Sequence, residues 1–372
     1  MDEERTYAII AGGGTAGHVL PALAIARALL ARGHARDSVH LVGSARGIES
    51  RLVPEAGFGV TLLPGRGIQR KVTLANVGAI AGLVRALVKA FRLIRRRKPA
   101  IVVAVGGYAS LACGLAAVVL RVPIVVAEQN AAPGAANRLI ARFAKAAAVS
   151  FPGTPLPRAV VTGNPIRDEV IAAADRRDKV AARIGCGLDP ERRVVLAFGG
   201  SLGALRINRA VLAAAEAWRD RSDLAVRHVV GRRDWPVLEH ELPTPPAGGL
   251  QYQAVAYEDD MPGAMAAADL AVTRAGSSTI FELATMALPA LLVPSPNVTA
   301  DHQNANARHV RDAGAAVVVP DADFDGDRFV AEVDALLADP HRLDLMAAAA
   351  KSLSCPDAAD RVADLVEAHA RP

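Results

Sequence analysis

The chain has 372 residues, 52% of them hydrophobic and only 4% aromatic, which is more than one core comfortably holds and enough to fill two, packed mainly by Ala, Val and Leu. Its three cysteines, Cys113, Cys186 and Cys355, are an odd number without CxxC spacing, which argues against a disulfide framework or a zinc site and fits a reducing compartment. The net charge of +5 hides an asymmetry, with 21 Lys and Arg against 7 Asp and Glu in residues 1–165 but 22 against 31 in residues 166–372, so the first half is suited to an anionic surface, nucleic acid or lipid.

The acidic start, Met1-Asp-Glu-Glu, leads straight into a strand, so no secretory signal is expected. The longest uncharged apolar run, Leu111 to Leu120, is about half of what a membrane span needs. Buried-type strands followed by helical patterns are predicted at Tyr7–Ala11, Val39–Val42, Ile101–Val105, Pro123–Ala127, Arg193–Phe198, Arg227–Val230, Leu270–Thr273 and Pro289–Val293. Such alternation means an α/β protein with parallel sheets covered on both faces. The loop-like passage Phe151-Pro-Gly-Thr-Pro-Leu-Pro157 to Asn164-Pro165 separates two such series. The predicted domains are therefore 1–163 and 164–353, with 354–372 a helix packing back on the first.

The first turn, Gly12-Gly-Gly-Thr-Ala-Gly-His18, precedes a helix expected over Pro21–Leu30. It satisfies G-x-G-x-x-G, but a nicotinamide site also wants an acid at the end of the second strand, and that strand ends Leu41-Val-Gly-Ser44. What remains is an anion-binding helix start carrying His18. An imidazole titrating near pH ~6.5 takes up a proton at neutral pH; the alternative is that His18 only caps or packs. Pro64 to Lys71 is a basic loop, and Ile80, Leu83, Val84, Leu87, Val88, Phe91 and Ile94 share one helical face, with Arg85, Lys89, Arg92 and Arg95-Arg-Arg-Lys98 off it. That pattern suits either a basic amphipathic helix on anionic lipid or a crossover helix with a solvated outer face. The scarcity of aromatic residues argues against nucleic acid.

Turns at Gly106-Gly-Tyr-Ala-Ser110 and Glu128-Gln-Asn130 fall at the same sheet edge as His18, suiting a diphosphate guest. Arg167 offers bidentate phosphate contact, and Gly199-Gly-Ser-Leu-Gly-Ala204 repeats the phosphate-type turn with Ser201 at its helix start. Leu270 to Asn306 then supplies two consecutive strand-to-helix turns bearing Ser277, Ser278, Thr279, Glu282, Gln303 and Asn306, all able to face one ligand. With a helix over Ile280–Met286, Glu282 accepts two hydrogen bonds from a ribose diol or, with Thr279, closes a capping box. Asp321-Ala-Asp-Phe-Asp-Gly326 with Glu332 has the spacing of a calcium loop, but Ala315–Val319 before it reads as a strand, so Asp327 capping a final helix is the simpler account.

Together, Gly13-Gly-Thr-Ala-Gly-His18, Gly106-Gly-Tyr108, Glu128-Gln-Asn130, Gly163-Asn-Pro-Ile-Arg167, Gly199-Gly-Ser-x-Gly-Ala204, Arg274-x-Gly-Ser to Glu282 and Asp301-His-Gln303 to Asn306 resemble the MurG family of bacterial peptidoglycan glycosyltransferases across nearly the whole chain. The resemblance implies two Rossmann-like domains of the GT-B type facing a cleft, and inverting, metal-independent transfer of N-acetylglucosamine from UDP-N-acetylglucosamine to the 4-hydroxyl of undecaprenyl-diphospho-N-acetylmuramoyl-pentapeptide. It implies no cofactor, peripheral attachment to the cytoplasmic face of the cell membrane, and cell-wall synthesis proteins as partners. By the family pattern His18 is the base and Asn130 helps place it, with Thr15, Gly17 and Glu128 on the acceptor side. Glu282 then holds the ribose, Arg167, Ser201 and Ser277 meet the diphosphate, Gln303 and Asn304 the donor sugar, and Tyr257-Glu258 the uracil through backbone. Ala16 stands where the family usually has glycine. The rival readings are a UDP-N-acetylglucosamine epimerase of similar fold and a nicotinamide oxidoreductase.

Overall fold

The computed structural model describes residues 6–45, 47–64, 75–176, 178–200 and 203–372, with backbone alone for 75–81 and 299. Residues 65–71 of the basic loop and Ser201 lie outside the described residues. The chain forms two compact units, 1–167 with 355–372, and 168–354.

In the first unit the chain runs β1 (Ala8–Gly12), α1 (Ala16–Ala31), β2 (Val39–Ser44), α2 (Glu49–Glu55), β3 (Gly59–Leu63), α3 (Ala75–Arg97), β4 (Ile101–Gly106), α4 (Gly107–Val119), β5 (Ile124–Glu128), α5 (Ala135–Ile140), β6 (Ala146–Val149) and β7 (Ala159–Val161). All pairings in the sheet β3-β2-β1-β4-β5-β6-β7 are parallel. Side chains of the central strands alternate between two cores. Ile9, Val102, Ala104 and Val126 pack with α3 and α4, whereas Ile10, Val103 and Val125 pack with α1.

The second unit runs α6 (Asp168–Asp175), α7 (Lys179–Gly185), β8 (Arg193–Phe198), α8 (Leu205–Ala217), β9 (Leu224–Val229), α9 (Trp235–Leu238), β10 (Gln251–Val255), α10 (Met261–Ala267), β11 (Leu270–Thr273), α11 (Ser277–Thr285), β12 (Ala290–Leu292), α12 (His302–Asp312), β13 (Ala316–Val318), α13 (Gly326–Leu337) and α14 (Pro340–Ser352). Its sheet, β10-β9-β8-β11-β12-β13, is again parallel. The last helix, α15 (Ala358–His369), belongs to the first unit. It buries Val362 and Val366 in the core shared with α1, and Arg32 at the end of α1 pairs with its Asp364 and Glu367 at 2.6 and 2.9 Å.

Several local expectations are corrected. Helix α1 starts at Ala16 and carries Pro21 inside it, so the Gly17 carbonyl has no N–H at that position to accept from. Strand β9 starts three residues before the expected Arg227, and β3, β6, β7 and β10 carried too little pattern to be read. In α3 the buried stripe is Ala86, Ala90, Leu93 and Ile94. Val84 and Val88, which periodicity places on the same apolar face as Ile94, are 56% and 43% exposed.

Candidate active site

Both sheets reverse their strand order once, between β1 and β4 in the first unit and between β8 and β11 in the second. Loops leaving the carboxyl ends of those strands diverge there and leave a crevice, which is where open α/β sheets bind ligands. The turns bearing His18, Gly106, Gly199 and Ser277 leave these strands, while Glu128 to Asn130 end and follow β5, and Arg167, Tyr257-Glu258 and Gln303-Asn304 follow β7, β10 and β12.

In the first unit the turn after β1 lies against the turn after β4. A Cβ on Gly107 would come within 2.5 Å of the Gly13 carbonyl oxygen, and one on Gly106 within 2.8 Å of His18 Cδ2 and Nε2. Glycine is therefore required for the His18 ring to lie on the β4 turn, and both glycines also have left-handed φ, +124° and +81°. Thr15 is the N-cap of α1 by position but makes no side-chain bond to the helix backbone; its Oγ1 instead lies 3.2 Å from His18 Nδ1, one turn on. Gly17 sits in the same first turn, in which His18 N and Val19 N donate to the Thr15 carbonyl at 3.1 and 3.2 Å.

Glu128 ends β5 and is 3% exposed. Its Oε1 accepts from Asn130 N and Nδ2 at 2.9 and 3.2 Å, and its Oε2 from Gly134 N and Asn137 Nδ2, both at 3.0 Å. All four lone-pair sites of the carboxylate are thus used within its own loop. Asn130 is oriented by it. Asn137, which the sequence reading passed over, also bonds the Ala127 carbonyl and approaches the Gly106 turn beside His18.

A second overlooked residue is Glu49. At 1% exposure it accepts from Gly14 N at 3.0 and 3.1 Å and from Ser44 N at 2.5 Å. The amide that would face a pyrophosphate in a dinucleotide fold is therefore already taken by an internal carboxylate. This is a firmer objection to a nicotinamide site than the missing acid after β2. Its only sequence signal is a lone Glu among Gly13, Gly43 and Gly47.

In the second unit α11 begins at Ser277, with Gly276 as its N-cap and no side-chain cap. Thr279 is thus inside the helix and the capping box with Glu282 does not form. Glu282 falls in the second turn, not the first, and is 6% exposed. Buried Ser277 and half-buried Ser278, the Oγ of the latter enclosed without a hydrogen-bond partner, sit at the helix start. Around them the loops are tied together. Arg274 donates to the Val293 carbonyl at 3.0 Å and pairs with Asp321 at 2.5 Å, which also meets Arg206 at 3.1 Å. Fully buried Asn306 donates to the Ala275 carbonyl, so it braces the β11 turn and does not face a ligand. Gln303 Oε1 accepts from Ser295 N at 2.8 Å, and Asn304 Nδ2 donates to Asp301 at 2.7 Å. Ala300 and Asp301, just before, both hold left-handed φ, +56° and +52°, a strain tolerated where surrounding contacts fix the loop.

The turn after β8 is held from below. His228 is fully buried, and burial pushes its imidazole down to about 3, so it is neutral. Because Asn208 Oδ1 only accepts, His228 Nε2 donates to it at 3.1 Å and Nδ1 accepts from the Tyr252 hydroxyl at 2.8 Å. Asn208 Nδ2 then donates to Val230 O and Asp234, against which Gly203 packs with no room for a Cβ. Glu258, after β10, receives both Arg227 Nε and Nη2 at 2.9 and 2.7 Å, so its side chain is committed and its backbone is what a ligand can meet. Tyr257 is exposed beneath the Arg232 guanidinium, 4.1 Å from its centroid. Arg167 ends the first unit one residue before α6. The calcium-loop spacing is spent otherwise. Asp321 pairs with two arginines, Asp325 and not Asp327 caps α13 through Arg328 N, Glu332 pairs with Arg328, and two further helices follow.

With this geometry in place, comparison with known proteins gives a consistent result. Residues 8–149 match the glycosyltransferase family 28 N-terminal domain and residues 194–362 its C-terminal domain. A UDP-N-acetylglucosamine–N-acetylmuramyl-(pentapeptide) pyrophosphoryl-undecaprenol N-acetylglucosamine transferase from Clavibacter sepedonicus is 43% identical, over 97% of this chain and 96% of the relative. The crystal structure of Acinetobacter baumannii MurG matches with a TM-score of 0.77 at 28% identity, over 98% of this chain and 99% of that one. A putative UDP-N-acetylglucosamine 2-epimerase from Listeria monocytogenes, at TM-score 0.68 and 16% identity over 98% and 96% of the two chains, shares the fold alone. Full-length identity at this level, on top of two Rossmann-like units carrying the expected turns, places the chain in the MurG family of glycosyltransferase family 28.

Proposed function

We propose that this protein transfers N-acetylglucosamine from UDP-N-acetylglucosamine to the 4-hydroxyl of undecaprenyl-diphospho-N-acetylmuramoyl-pentapeptide, with inversion at the anomeric carbon. The observation that carries the reading is Glu282, a buried carboxylate set beyond the first turn of the helix that leaves the second sheet's switch point. Its two oxygens suit a ribose diol and the α11 amides at Ser277 suit a diphosphate, a role that the family pattern also gives to Arg167 and Ser201. Uracil meets the backbone of Tyr257-Glu258, and Gln303 and Asn304 take the sugar. Departing UDP is stabilised by helix N-termini and Arg167 without a metal.

On the acceptor side His18 removes the hydroxyl proton, a contribution of roughly 10²- to 10⁴-fold when the base is well placed. Thr15 and Asn130 orient it. The first unit also meets the anionic cytoplasmic face of the membrane, where cell-wall synthesis proteins are its partners. Support for the membrane contact comes from Val84 and Val88, exposed on α3 among Arg85, Lys89, Arg92 and Arg95. No helix among the described residues is long and apolar enough to cross a membrane.

The test is UDP release measured with and without the lipid-linked acceptor. Release that requires the acceptor, with N-acetylglucosamine recovered on it, is the expected result. Release without acceptor, or an epimerised sugar product, would overturn the reading.

A further inference from the structure

We propose that Glu49 is the positioning residue of the acceptor site, an internal anion that sets the height of the β1 turn and through it the placement of His18. The inference rests on the reading of His18 as base. Three glycine turns are layered here with no space for a side chain between them. Against Glu49 itself, a Cβ on Gly13 would come within 2.2 Å of Oε1, one on Gly43 within 2.2 Å of Cγ, and one on Gly47 within 2.0 Å of Oε2. On the far side, Gly13 O abuts the Gly107 position and His18 lies on Gly106. The carboxylate thus grips the β1 turn by Gly14 N and the β2 end by Ser44 N, and the residue after Gly14 is Thr15, whose hydroxyl meets His18 Nδ1.

Nothing smaller or neutral does the same work. The carboxylate accepts at both oxygens, Oε1 from Ser44 N and Gly14 N and Oε2 from Gly14 N, whereas an amide of equal size keeps one acceptor oxygen and sets an NH2 against Gly14 N in place of Oε2. A shift of the turn moves the imidazole relative to the acceptor hydroxyl, and misplacement of a catalytic group by about 1 Å costs on the order of 10²-fold. The same anion takes up Gly14 N, the amide that a dinucleotide's pyrophosphate would use in this fold.

The test compares wild type, Glu49→Gln, His18→Ala and the double variant, with lipid-linked acceptor and UDP-N-acetylglucosamine. Glu49→Gln is expected to lower kcat by about 10- to 100-fold with the donor KM within about twofold, and to add nothing once His18 is Ala, since neighbours acting through one group are not additive. Gly47→Ala, whose methyl group displaces the Glu49 carboxylate while keeping its charge, is expected to lower kcat in the same direction. Thermal melts establish that each variant is folded, and should Glu49→Gln not fold, Gly47→Ala alone and with His18→Ala completes the cycle. Unchanged kcat, a parallel rise in donor KM, or full additivity with His18→Ala would overturn the role of Glu49. Near-normal turnover of His18→Ala by itself would instead remove the base on which the proposal rests, a distinguishable result.

Discussion

His228 and His40 show how single side chains tie the fold to solution conditions. His228 lies neutral in the second unit between Tyr252 and Asn208, and His40 in the first is pushed down to about 4 by burial and by Arg97 and Arg96. The unfolded chain binds a proton at each near pH ~6.5 and the folded chain does not, so the stability each unit has above that pH is lost progressively as pH falls toward 4. By linkage the loss at pH 5 is roughly 2 kcal/mol per histidine relative to pH 8. Denaturant titrations at the two pH values are expected to show it, with His228→Gln flattening the part that belongs to the second unit; equal midpoints at pH 5 and 8 would contradict this. The residue scale also shows where sequence patterns mislead. Thr279 and Glu282 have capping-box spacing, but Gly276 is the N-cap three residues earlier, so both lie inside the helix. Glu49 and Asn137 passed unnoticed because an isolated acid or amide gains meaning only from glycines brought to it by neighbouring strands.

At the scale of elements, strands with β-branched runs such as Ile101-Val-Val-Ala-Val were legible, since burial on both faces leaves little choice of residue. Ala146-Ala-Ala-Val149 was not, because alanine favours helix locally and only its place between β5 and β7 makes it a strand. Helix α3 shows the limit of periodicity. Its small residues, Ala86 and Ala90, face α4 and the sheet, which pushes part of the apolar stripe outward. A helix with apolar residues on both sides and arginines between them is suited to bind a core and a lipid surface together. Substituting Val84→Asp with Val88→Asp removes apolar contact and adds repulsion without touching the buried stripe. Binding to vesicles containing anionic lipid is expected to fall at least tenfold, each basic residue near the surface contributing ~1 kcal/mol, with the melting temperature unchanged. Undiminished binding would remove α3 from the membrane contact.

The whole molecule repeats one arrangement twice, a parallel sheet with a glycine turn at its switch point, and gives each copy a different charge environment. In the first unit Glu49 occupies the turn and basic residues dominate the exterior; in the second the corresponding turn after β8 is braced by Asn208 and Asp234 while Glu282 waits at the neighbouring helix. The alternation of strand and helix, the parallel pairing and the two Rossmann-like units follow from patterns local enough to read in one dimension. The braces joining loops do not, because Arg274 to Asp321 or Asn208 to Asp234 link residues many positions apart. The account depends most on where the nucleotide sits. Calorimetric titration of UDP into wild type and Glu282→Ala measures this directly. A single site weakened by about 10²-fold or more in the variant is predicted, as expected for losing charge-assisted hydrogen bonds to a diol. Equal affinity in the two proteins would contradict the account.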